Sequence, residues 1–207
     1  SGINTKLFNF QKEPSTKKKI VLAYTGRLLK DKGIHWLVSS FLLAKKEMDN
    51  LFLVLAGAWD RNNPSAISEK ELNNIKKIKD VKYLGNVEDV REIWKKSHIA
   101  ILLSKREGLP LSLIEAASMG RSIITTDVPG CREIVKNKIN GFTVPAGNIE
   151  KTTVAILKLS RDTKLRKKFS KNGRRLVVNH MEESIIFLKY SEVYEKLLSI
   201  NEKKRWR

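Results

Sequence analysis

Six short apolar runs, separated by segments of helical period, set the pattern of this chain. They are Lys19–Thr25, Leu51–Gly57, Val81–Gly85, His98–Ser104, Ser122–Thr126 and Gly141–Pro145. Runs that are apolar throughout, rather than at alternate positions, predict strands buried on both faces. Between and after them the spacing predicts helices over 34–48, 68–78 and 87–96, one opening at Pro110, and others over 130–136, 149–159, 163–179 and 182–201. On the first of these Ile34, Leu37, Val38, Phe41 and Leu42 share one face, the signature of a helix packed on a core. Strands alternating with helices predict an α/β class, a doubly wound parallel sheet of Rossmann-like type. In such a sheet the ligand lies at the carboxyl ends of the strands. An extended lead, Gly2 to Pro14, precedes the first strand, and a helix with a basic tail follows the last of the domain.

Three loops at the carboxyl ends of strands are candidates, Gly85-Asn86-Val87 among them, and the other two carry charged groups. After His98–Ser104 the chain turns through Glu107 and Gly108, and Pro110 suits the first position of a helix, where its absent N–H costs nothing. Glu115 then lies about two turns into that helix. A helix start offers free N–H groups and a positive dipole end to a phosphate, and the flanking carboxylates suit sugar hydroxyls. Taken alone, two glutamates at this spacing fit equally well an ordinary amphipathic helix with solvated acids. After the first strand, Gly26, Arg27 and Lys32 precede Gly33. Their position at the end of the first strand favours a functional role, although loop cations in solvent are the plain alternative.

The segment Arg106-Glu107-Gly108-Leu109-Pro110-Leu111-Ser112-Leu113-Ile114-Glu115-Ala116-Ala117 resembles the E-x7-E motif of glycosyltransferase family 4. The likeness continues through Gly120, Asp127-Val128-Pro129-Gly130, Glu133-Ile134-Val135 and Asn140-Gly141-Phe142-Thr143-Val144-Pro145, an extended match that a short motif alone does not provide. It implies the C-terminal, donor-binding half of a GT-B enzyme. By that resemblance Arg27 and Lys32, with Gly26, hold the donor diphosphate, and the backbone around Gly85 and Val87 meets the nucleotide base. Glu107 stabilises the reacting sugar and Gly108, Leu109, Pro110 and Leu111 line sugar or phosphate oxygens, while Glu115 accepts from the ribose hydroxyls.

The implied reaction is retaining transfer from a nucleotide-diphosphate sugar, a UDP-sugar, to a glycan or lipid-linked acceptor. Asp127 to Glu133 is similar to bacterial members that build surface polysaccharides. Residues 1–18 correspond to an interdomain linker remnant, 19–180 to the nucleotide-sugar-binding domain and 181–207 to the C-terminal helix and basic tail. The acceptor-binding N-terminal domain of the family is expected outside this chain, so the chain alone is expected to be inactive. The last helix, with Ile185, Ile186, Leu188, Tyr190, Val193 and Leu197, is expected to pack on it. One departure stands out: Gly57-Ala58-Trp59-Asp60 replaces the family's frequent Gly-x-Gly. A GT-B sugar-nucleotide epimerase half shares the architecture and is the rival enzyme.

Composition then narrows the surroundings. At 207 residues the chain is long enough to bury a sizeable core. The net charge of +19 favours polyanions, an anionic membrane surface among them, with Trp206 in the tail Lys203–Arg207 and Lys17–Lys19 as contributors. A nucleic-acid module is disfavoured, because aromatic residues are only 7% and no recognised motif appears. The start, Ser1-Gly2-Ile3-Asn4 without Met, reads as an internal cut with no signal peptide. A single cysteine, Cys131, suits a reducing cytosol, so the expected location is cytoplasmic, at the inner face of a membrane. His35, His98 and His180 lack ligand spacing. No metal site and no cofactor are expected, the nucleotide sugar being a substrate. Trp36 and Trp94 lie in amphipathic helices, where packing is their expected role.

Overall fold

A computed structural model describes residues 2–16 and 18–205, with side chains described up to residue 198. Six parallel strands form one sheet in the order β3-β2-β1-β4-β5-β6. They are β1 (Ile20–Thr25), β2 (Leu51–Ala56), β3 (Val81–Tyr83), β4 (Ile99–Leu102), β5 (Ser122–Thr126) and β6 (Gly141–Val144). The register pairs Thr25 with Ala56 on one side of β1 and Leu22 with Ile99 on the other. The helices are α1 (Ile34–Glu47), α2 (Glu69–Lys76), α3 (Arg91–Lys95), α4 (Leu111–Ser118), α5 (Pro129–Ile134), α6 (Ile149–Arg161), α7 (Thr163–His180) and α8 (Glu183–Arg205).

The chain steps one way from β1 to β3, then returns to β4 beside β1 and steps the other way. Right-handed crossovers therefore place α1 and α4 on opposite faces. α6 packs beside α1, and α7 beside α4. Leu22, Leu53, Ile99 and Ile123 are fully buried in the layer between them, which is why these strands read as unbroken apolar runs. No helix of the described residues is long and apolar enough to cross a membrane.

Two elements start later than the sequence predicts. α3 begins at Arg91 rather than near Val87. Asp89 accepts hydrogen bonds from the Arg91 backbone N–H at 2.9 Å and from its guanidinium at 2.7 Å, a local turn that competes with helix. Pro110 is the N-cap of α4, with φ −73° and ψ 107°, not its first helical residue. Its carbonyl accepts from the N–H of Leu113 and Ile114, so Leu111 and Ser112 head the first turn with no intrahelical acceptor for their N–H groups.

The lead segment is fastened to the domain by arginines. Arg121, fully buried, donates to the carbonyls of Ser97 at 2.7 Å, Met119 at 2.9 Å, and Gln11. Arg166, 1% exposed, donates to Glu13 at 3.0 Å and to the carbonyls of Leu159 and Ser160. Arg174 reaches the carbonyls of Thr5 and Phe8. At the start of the chain Ile3 bridges to Glu182, its N–H donating to the Met181 carbonyl at 2.8 Å. The lead thus lies on the domain beside the root of α8.

Beyond that root α8 is exposed on its described side chains, with Phe187, Leu188, Tyr190, Val193, Tyr194, Leu197 and Leu198 all more than half exposed. Trp206 and Lys17, expected to serve a membrane surface, lie outside the described residues.

Candidate functional site

The strand order reverses between β1 and β4, so the loops leaving these two strands diverge and open a crevice. Of the residues singled out from the sequence, Gly26, Arg27, Lys32, Glu107, Leu109, Pro110 and Leu111 line that crevice, joined by Tyr24, Thr25, Leu102 and Ser112. Its volume is about 340 Å³. A larger hollow of about 670 Å³ lies against Phe52, Val54 and Ile93. It sits away from the crevice and gathers none of the predicted groups.

Close approach of the two loops depends on glycine. Gly33 has φ 73°, and a Cβ there would fall 2.1 Å from the Leu103 carbonyl oxygen, so no other residue fits. The Lys105 N–H also donates to the Asp31 carbonyl at 2.8 Å. The result is that Lys32 Nζ donates to Glu107 Oε1 at 2.6 Å, and Ser104 Oγ donates to the same oxygen at 2.5 Å. The Glu107 side chain is 9% exposed and that of Lys32 25%, so this is a half-sheltered pair whose cation still faces the crevice. The Ser104 backbone is held in turn, its carbonyl accepting from Thr126 Oγ1 at 2.6 Å.

Arg27 is presented differently. Its side chain is 57% exposed and meets Asp60 only at 3.9 Å. Its backbone, by contrast, is fixed: the Tyr24 hydroxyl donates to the Arg27 carbonyl at 2.5 Å. Burial, with the Glu107 charge adding to it, pushes the Tyr24 phenol far above its ordinary range, so it stays a neutral donor at any physiological pH. The crevice therefore offers a loosely held guanidinium, an ammonium shared with one carboxylate, and the first N–H groups of α4.

Four of the predicted residues lie outside this lining. Gly108 turns its carbonyl towards Gly130, where a Cβ would come within 2.2 Å; Gly130 thus lets α5 abut the Glu107 turn. Gly85, with φ 68°, and Val87 follow β3. The Gly85 carbonyl accepts from the Gly57 N–H at 2.7 Å, which ties that loop to the one after β2. Glu115 sits further along α4, partly buried, and burial raises its pKa, with the Trp94 indole partly offsetting the rise. Tyr24, Ser104, Asp60 and Gly130 were not singled out from sequence for these roles. Ser104 carried a signal, as the polar residue closing an apolar run, and Gly130 stood within the segment of family likeness.

Among the described residues no group of three or more His, Cys, Asp or Glu is placed to hold a metal ion. Cys131 is buried, and burial raises its thiol pKa.

A family model described as glycosyl transferases group 1 matches residues 5–176. The chain is 30% identical over 184 residues, 89% of its length, to the capsular polysaccharide biosynthesis glycosyltransferase CapM of Staphylococcus aureus, covering 48% of that protein. It is 31% identical over 189 residues, 91% of its length, to the N,N'-diacetylbacillosaminyl-diphospho-undecaprenol alpha-1,3-N-acetylgalactosaminyltransferase of Campylobacter jejuni, again covering 48%. The chain thus spans about half the length of these relatives. The crystal structure of Anabaena Alr3699/HepE in complex with UDP-glucose superposes with a TM-score of 0.82 at 19% identity, over 94% of this chain and 56% of that one. At that identity the likeness is one of fold.

Proposed function

Because the chain belongs to the group 1 glycosyl transferases, we propose that it is the donor-binding half of a retaining transferase. In this reading the enzyme moves a sugar from a UDP-sugar to a glycan or lipid-linked acceptor in surface-polysaccharide synthesis. The observation that carries the reading is the meeting of Arg27, Lys32 and Glu107 at one switch-point crevice. Support for the donor comes from the fold neighbour bound to UDP-glucose, and for the acceptor from the relatives named for capsular polysaccharide and a diphospho-undecaprenol substrate. The match to transferases favours this reading over a sugar-nucleotide epimerase.

The chemistry follows from charge. As the bond from the anomeric carbon to the diphosphate oxygen breaks, its electron pair leaves with the nucleoside diphosphate, and negative charge builds there. Lys32, anchored on Glu107, and the more mobile Arg27 bring positive charge to that place, and cations set where charge develops stabilise a transition state more than a ground state. Lys32 shifts part of its hydrogen bonding from Glu107 to phosphate. Glu107, its Oε1 still held by Ser104, presents Oε2 to accept from the donor sugar and to face the positive character developing on its ring. The leaving diphosphate needs no divalent metal in this scheme. Glu115 accepts from ribose hydroxyls.

Transfer itself requires an acceptor across the crevice, and the apolar face of α8 is the surface proposed to pack on the acceptor-binding half. The isolated chain therefore binds donor without transferring it. The surplus of lysines favours work at the inner face of an anionic membrane.

Calorimetric titration of the chain with UDP and UDP-sugars, with and without chelator, tests the reading. Weak binding that survives chelation is expected. Binding that vanishes with the chelator would remove the two-cation scheme, and no binding at all would remove the donor site.

A further inference from the structure

Trp94 is 1% exposed, yet its indole N–H has no hydrogen-bond partner. Buried donors in folded proteins are nearly always paired, so an orphaned one asks for an explanation. Packing does not supply it. A phenylalanine fills a core position on a short helix without bringing a donor that must be satisfied, and the N–H is what tryptophan adds to the ring. The ring sits on α3, whose end is pinned where Ser97 Oγ donates to the Trp94 carbonyl at 3.1 Å and where Arg121 donates to the Ser97 carbonyl at 2.7 Å. Packed in the core on that anchored turn, the side chain is held in place. The acid with which its indole interacts is Glu115, across on α4, itself partly buried.

We propose that Trp94 is a positioning residue for Glu115, its indole N–H closing a hydrogen bond to one carboxylate oxygen when the nucleotide binds and leaving the other to accept from the ribose hydroxyls. This rests on the donor-site reading above and adds to it a residue that itself touches no ligand. The physical reasoning is that a carboxylate accepts along several directions, and an anchored donor on one side selects among them. In the free protein the indole N–H faces the acid closely enough to lower its pKa against the effect of burial but falls short of hydrogen-bond geometry. A ligand that draws Glu115 into line lets the orphaned N–H gain its partner, so part of the binding energy comes from within the protein.

The test compares UDP with 2′-deoxy-UDP as probes of the whole chain. The wild type is expected to prefer UDP, and Glu115→Ala to abolish that preference. Trp94→Phe is expected to weaken UDP binding about tenfold, the lower end for a hydrogen bond to a charged group, while hardly changing the binding of 2′-deoxy-UDP. A purely structural role would weaken both probes equally, and that outcome overturns the proposal, as does an unchanged preference. A second measurement needs no core substitution: the 15N-labelled Trp94 indole resonance should move downfield on adding UDP to the wild type, and should not do so in Glu115→Ala. An indole resonance indifferent to UDP also overturns it. If the wild type binds neither probe, the donor-site reading fails first, which separates the two claims.

Discussion

Two sets of cations in this chain have opposite fates. Arg121 and Arg166 are buried, and their guanidinium N–H groups are taken up by carbonyl oxygens and by Glu13 and Thr163. Arg27 is mostly exposed and has one distant partner, while Lys32 shares a single carboxylate. The first set fastens residues 2–16 to the domain. The second lies where the strand order reverses and keeps its donors available. Residue type does not separate the two; what separates them is how completely the fold itself satisfies their hydrogen bonds. A net charge counted from sequence treats both sets alike, and so overstates the charge that the surface offers to a ligand.

The largest effect should come from breaking the first set. Arg121→Ala leaves the carbonyls of Ser97 and Gln11 without this donor, while that of Met119 keeps the Gln11 N–H, and each orphan costs about 1–3 kcal/mol. Loss of about 3 kcal/mol or more in chemical denaturation is expected. A loss below about 1 kcal/mol would mean that the lead is not held this way.

The same region should give the protein an acid-sensitive stability. His98 is buried, its Nδ1 accepts from the Val21 N–H at 3.0 Å, and burial, reinforced by the Arg166 charge, lowers its pKa to about 4. In the unfolded chain its value is about 6.5. The unfolded state therefore takes up the proton first, so the stabilising contribution is complete above about pH 6.5 and falls away as pH drops towards 4. A shift of this size amounts to about 3 kcal/mol at most. Denaturation followed from pH 7 to 4 should show the slope, and His98→Asn should flatten it. An identical slope in the variant would assign the effect to other groups.

The groups at the donor site, the second set among them, should behave in the opposite manner. Glu115→Ala is expected to weaken UDP binding by about 1.5–3 kcal/mol, the range for hydrogen bonds to charged groups. Glu107→Ala should spare UDP and reduce the added affinity for a UDP-sugar. Equal effects of the two variants on UDP alone would erase the division of roles. Arg27→Ala, at an exposed position, should change stability by less than about 0.5 kcal/mol. A larger loss would move Arg27 into the structural set.

The smallest effect concerns the surface lysines. Each basic residue near an anionic bilayer contributes about 1 kcal/mol, and only within a Debye length. Binding to anionic vesicles should fade as salt rises, and binding equal to that on neutral vesicles would leave the lysines as a solvated surface alone.

The sheet was legible because its strands are buried on both faces and so read as apolar runs. The crevice was legible because a Rossmann-like order places the loops after β1 and β4 together, which is where Arg27, Lys32 and Glu107 stand. The lead over 2–16 was not, since its partners are arginine side chains and helix ends far along the chain, and an extended segment held that way has no periodicity. Nor does an arginine in sequence show whether carbonyls await it, as at Arg121, or solvent, as at Arg27. The late start of α3 came from the Asp89–Arg91 turn, a competition between side chain and helix that apolar spacing does not register.

The central claim is that the half-satisfied cations of the crevice hold a diphosphate. It is tested most directly by titrating UDP, with chelator present, into the wild type and into Arg27→Ala and Lys32→Ala. The expected result is measurable binding by the wild type and at least tenfold weaker binding by each variant, with Arg27→Ala as stable as the wild type. Unchanged affinity in both variants would contradict the claim.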